Sequence, residues 1–148
     1  MKRVVVGFSK AKSKFAIFSR LIRYVQGTPF SHVYTRVNWP SAGQDLIYQA
    51  SGLKVNFDSF NHFNEIEDII AEFTFDVNDD TWCRLASFMT SQLSKPYSIK
   101  EVFGLFIKSL FHRSNPFRDG PASYVCSELG ADILNTIDQG NRDSEDLS

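Results

Sequence analysis

The sequence predicts an α+β fold, an antiparallel sheet packed against helices, with the helix that carries the most reactive candidate side chain at the C-terminal end. Two observations carry this. The first half of the chain holds short β-branched or alternating segments divided by turn residues, and the second half changes to a helical period. A length of 148 residues with a hydrophobic fraction of 43% suits one core and hardly two, so residues 1–140 read as a single domain and 141–148 as a polar, frayed tail.

Arg3 to Phe8 is a β-branched run bounded by Ser9 and reads as a strand. Phe15, Phe18, Leu21, Ile22 and Val25 recur at helical spacing, and Gly27 with Pro29 closes that amphipathic helix. His32–Val37, Leu46–Ala50 and Leu53–Phe57 follow as short strands of an antiparallel meander, separated by Asn38-Trp39-Pro40-Ser41, Gly43 and Ser51-Gly52. Asn61-His62-Phe63-Asn64 reads as a connection to a further strand over about Asp68 to Phe75. Asn78 or Asp79 then caps a helix whose buried stripe is Trp82, Leu85, Ala86, Phe88, Met89 and Leu93, ending before Pro96. Ser98 and Glu101 have capping-box spacing and open a helix rich in Phe and Leu through Phe111. A loop around Asn115-Pro116 and Asp119-Gly120-Pro121 precedes a last helix from about Ser123 to Ile137, which Gly140 ends.

Sixteen basic against 17 acidic residues give a formal charge of −1 and no electrostatic case for nucleic acid. The basic residues near the N-terminus read as a solvated face. Two cysteines allow at most one disulfide, which points to a reducing compartment. The apolar run Val4–Phe8 is too short for a signal peptide, and no segment reaches the roughly 18 apolar residues of a membrane span, so a cytoplasmic location is expected. No paired His or Cys spacing suggests a metal, and no Gly-rich phosphate loop suggests a nucleotide, so no cofactor is expected.

A free cysteine is more often a small buried hydrophobe than a nucleophile. Cys83, mid-helix beside Trp82, fits that description. Cys126 in Tyr124-Val125-Cys126-Ser127-Glu128-Leu129 departs from it, because the expected helix start puts it in the first turn, where unpaired N–H groups stabilise a thiolate and an oxyanion. A base is then required. Of three histidines, His112 reads as a helix C-terminal cation and His62 as a loop residue, which leaves His32 at the start of a strand. Gln49, one strand later and on the same face as Ile47, is the candidate to orient the imidazole; the alternative is a plain polar strand residue.

Ser31-His32-Val33, Gln49, the Lys95-Pro96-Tyr97 step and Tyr-Val-Cys-Ser-Glu-Leu resemble the circularly permuted NlpC/P60 proteins, a papain-like group, and within it the YiiX-like subgroup related to lecithin:retinol acyltransferase-type enzymes. The resemblance covers about Val4 to Ile137. It implies Cys126 as nucleophile, His32 as general base and Gln49 as orienting residue, with Tyr97, Tyr124 and Ser127 near the substrate. Many YiiX-like members carry Glu where this chain has Gln49. The implied activity is a cysteine amidase or peptidase working through an acyl-Cys126 thioester on a peptide, a cell-wall fragment or an acyl lipid. The alternatives are a lipid acyltransferase or thioesterase of the same fold and a catalytically weak peptide-binding module. The apolar helix before the loop is open to three readings: a core helix, an acyl pocket, or an oligomer interface.

Overall fold

Val4, Val5 and Val6 are all buried, which requires protein on both faces of their strand, and β1 (Lys2–Ala11) lies between two neighbours with a core on either side. The structure is a computed structural model that describes residues 1–13, 20, 23, 24, 27, 29–51, 54–93 and 121–146, with 121–128 and 143–146 described by backbone alone. β2 (His32–Trp39), β3 (Gln44–Ser51), β4 (Lys54–Ser59) and β5 (Glu67–Val77) complete a five-stranded sheet of order β4-β3-β2-β1-β5. Every pairing is antiparallel. The turn from β2 to β3 is a short 3₁₀ segment, Pro40–Ala42, closed by Gly43 at φ 63°, a left-handed conformation that glycine adopts without a Cβ clash. The expected meander and the strand after it are thus present.

Among the described residues, three α-helices with defined bounds accompany the sheet. α1 (Phe60–Ile66) covers one face, where Phe63 packs with Tyr34 and Ile47. α2 (Asp79–Gln92) and α3 (Pro121–Asp146) cover the other, where Leu85, Met89, Leu129, Ile133 and Ile137 meet Val4, Val6, Val33, Val37 and Tyr48. Side chains alternate between these cores along the strands, with one interruption in β5. Asn78 caps α2 as expected, its side chain accepting from the Thr81 N–H at 2.8 Å.

Several expectations need correction. Asn61–Asn64 is helical: the Ser59 hydroxyl accepts from the His62 N–H and Phe63 anchors the turn in the core. Cys83 is exposed, because the buried stripe of α2 runs through Thr81, Leu85 and Met89 and residue 83 lies about 200° around the helix from residue 81. Gly140 does not end the last helix, which continues to Asp146; the missing side chain serves packing against Thr81 instead. The helices expected over 98–111 and, almost entirely, over 15–25 lie outside the described residues. No helix among the described residues is long and apolar enough to cross a membrane.

Candidate active site

The hairpin of β2 and β3 sets the first two site residues side by side. Thr35 pairs with Tyr48, so Tyr34, Ile47 and Gln49 face the α1 side together with His32. His32 Nε2 and Gln49 Oε1 are 2.7 Å apart, and Gln49 is 5% exposed. An amide oxygen only accepts, so the Nε2–H donates, and the lone pair of the neutral ring resides on Nδ1. The ring of Phe63 lies 6.3 Å from the imidazole, centroid to centroid. Burial holds the His32 pKa below the ordinary imidazole value; the Gln49 hydrogen bond and then the negative charge of Glu67 oppose that shift.

The same face continues as a polar row. Ser9, fully buried, is the cross-strand partner of His32 and donates to Glu67 Oε2 at 2.8 Å. Tyr34 donates to Glu72 Oε1 at 2.7 Å, and Arg36 binds Glu72 Oε2 at 3.1 Å. Burial first, then the bond to Glu72, raises the Tyr34 pKa so far that the phenol stays protonated. On β4, Asn56 is directly opposite Gln49. Its Oδ1 is buried without a hydrogen-bond partner among the described residues.

α3 runs across the opposite face. A Cβ on Gly130 would stand 2.9 Å from Val33 Cγ1, so the helix backbone lies directly on the strand residue next to His32. Position 126 is one turn earlier, on the stripe of Leu129, Gly130, Ile133 and Ile137, and four residues at 1.5 Å each carry the helix about 6 Å beyond Gly130. The backbone of position 126 therefore lies toward the end of the sheet where β2 begins, on the face opposite the His32 side chain. The helix begins at Pro121, however, which makes Cys126 its sixth residue. Only the first four N–H groups of a helix lack an internal partner, so the expected first-turn placement, with the Cys126 N–H open to an oxyanion, is corrected. The side chains of Cys126, Tyr124 and Ser127, and Tyr97 altogether, lie outside the described residues.

His62 is not part of this cluster. It is exposed and bonds Asp58 through Nδ1 at 2.6 Å, and that bond and charge raise its pKa. Among the described residues no group of three or more His, Cys, Asp or Glu side chains could hold a metal ion. Sequence reasoning missed Ser9 and Glu67, whose place depends on how β1 and β5 pair. Comparison with protein-family models, curated proteins and solved structures returns no match.

Proposed function

We propose that this chain is a cysteine hydrolase of amidase or peptidase type, with the strand-His then helix-Cys order of a permuted NlpC/P60 arrangement. The observation that carries the reading is the half-buried His32–Gln49 hydrogen bond at the end of the sheet toward which residue 126 of α3 extends. With Nε2–H committed to Gln49, Nδ1 takes the proton of the Cys126 thiol in this reading. That transfer requires the imidazole, on the first residue of β2, to meet the thiol past the end of the strand, because α3 covers the opposite face. The thiolate adds to an acyl carbonyl, and the C–N or C–O bond breaks as the imidazolium returns its proton to the leaving amine or alcohol. A thioester remains, and water, deprotonated by the same nitrogen, hydrolyses it to the acid. Gln49 fixes the tautomer without adding a charge.

The helix start at Pro121 favours a second reading, a peptide-binding module with weak catalysis, because a second-turn thiol receives less help from the helix terminus. Alkylation of Cys126 by iodoacetamide as a function of pH separates the two. Because Cys83 is exposed, the measurement uses Cys83→Ser, with and without His32→Ala. Activated cysteines titrate at roughly 3.5–7.5 and ordinary ones near 8.5, so a rate plateau below pH 7 that moves upward without His32 is the expected result. A single ordinary titration, indifferent to His32, overturns the hydrolase.

A further inference from the structure

We infer that Glu67 is a positioning residue for His32, the carboxylate that stabilises its imidazolium, and that a β-bulge at Ile70 turns Glu67 onto the His32 face. The inference deepens the reading of His32 as base and rests on it.

The pairing of β1 with β5 carries the argument. From Lys2↔Val77 to Phe8↔Ala71 the register advances one residue at a time, but the next pair is Ser9↔Ile69. Ile70 is the extra residue. Side chains on a strand alternate between faces, and a bulge inverts that alternation for everything beyond it. Glu72 binds Tyr34 and Arg36 on the α1 side, and Ile69, three residues earlier, packs on the same side against the Tyr34, Ile47 and Phe63 cluster. Three residues apart on one face is possible only across the bulge. Without it Asp68 would share the side of Glu72 and Glu67 would face α2 and α3; with it Glu67 joins His32.

Ser9 completes the placement. It is buried, it stands opposite His32 in the β1–β2 ladder, and its hydroxyl holds the Glu67 carboxylate at 2.8 Å. Directly opposite residues have Cβ atoms about 4.5–5.5 Å apart, so the carboxylate is one hydroxyl away from the imidazole. Among the described residues the other ionisable groups that strand alternation puts on this face are Tyr34, which stays neutral, the Arg36–Glu72 pair with Asp45 3.8 Å from Arg36, Asp58 and Lys54 on β4, and Arg3 and Asp76 at the far end of β1 and β5. Just past the end of β1, Lys12 directs its ammonium to the Asn64 carbonyl of α1, and the exposed His62 of that helix pairs with Asp58. Gln49, from β3, supplies orientation with no charge. The charge comes from β5 instead, two strands away on the other side of His32. Position and charge are divided between two residues where a single glutamate at position 49 would provide both.

The test is a histidine-selective NMR titration of the Cys126→Ala protein, which removes the thiol from the pH profile, with resonances assigned through His62→Gln and His112→Gln. Glu67→Gln is expected to move the His32 midpoint to lower pH. Asp68→Gln, the adjacent carboxylate on the opposite face, is expected to leave it in place. Should Glu67→Gln fail to fold, Ser9→Ala keeps the charge but releases it, and the same direction of shift is expected. No movement in the variant that folds, or equal movement for positions 67 and 68, overturns the inference. A Glu67-dependent His32 in a protein whose Cys126 alkylation ignores His32→Ala would retain the pair and remove the nucleophile, so the two readings fail separately.

Discussion

Gly140 lies so close to Thr81 that a Cβ on residue 140 would fall 2.1 Å from the Thr81 hydroxyl oxygen, which joins α3 to the first turn of α2. By intrinsic propensity Gly140→Ala in a helix gains about 1 kcal/mol. Forcing a methyl into this contact costs about 1–3 kcal/mol, so the net effect is a loss. Urea denaturation of Gly140→Ala, Thr81→Ala and the double variant checks it: Thr81→Ala removes the two nearest obstructing atoms, Oγ1 and Cγ2, but keeps Cβ at 2.9 Å, so the double variant is expected to recover part of the stability lost in Gly140→Ala.

Gly7 makes a similar contact on the other face. A Cβ there would stand 2.2 Å from Tyr34 Cζ, within a ring fixed by Phe63 and by the bond to Glu72. Gly7→Ala is expected to destabilise the fold by about 1–3 kcal/mol or more and to release the Tyr34 hydroxyl. A lowered denaturation midpoint together with an altered near-ultraviolet tyrosine signal is the check.

Burial lowers the His32 pKa, so the folded state resists a proton that the unfolded chain accepts near the ordinary value of 6.5. Below that pH the unfolded state binds more protons, and stability therefore falls as the pH drops through the window beneath 6.5. His62 works in the opposite sense: its pKa is raised, so its contribution is present at low pH and fades as pH rises through its folded value. The unfolding free energy at pH 5 relative to that at pH 7.5 is expected to be higher in His32→Gln than in the parent, because the acid-destabilising group is gone while His62 remains. An unchanged difference would show that His32 is not the group responsible.

Gln49→Leu leaves the His32 Nε2–H buried without its acceptor, a loss of about 1–3 kcal/mol. Gln49→Glu keeps the hydrogen bond and adds a charge, so the imidazolium is favoured. The expected outcome is a His32 titration midpoint at higher pH in Gln49→Glu, with faster Cys126 alkylation at pH 6, and loss of His32-dependent alkylation in Gln49→Leu. Both are read in a Cys83→Ser background.

The pairing of His32 with Gln49 was legible in the sequence because both lie on strands of one meander, and the parity of Tyr34, Ile47 and Gln49 follows from simple alternation. The α1 turn was not. Seven residues with a single buried side chain give no helical period, and only the Ser59 cap marked its start. Cys83 was misread because Trp82 drew the buried stripe toward it, whereas Thr81, a polar residue, is the buried residue of the first turn. Glu67 was beyond reach for a different reason. Its face depends on the bulge, and the doublet Ile69-Ile70, where alternation lapses, was the only trace of it.

That extra residue has a second consequence. β5 is the outermost described strand on its side of the sheet, eleven residues long, with Phe73 57% exposed and Ile70 beside it. An even row of backbone donors and acceptors beside exposed apolar groups is a template on which a second chain can add as a strand. The bulge breaks the spacing of that row and bends it. Deleting Ile70 would straighten the edge, and self-association, seen as light scattering that grows with concentration, is the cost the protein avoids by keeping one residue out of register.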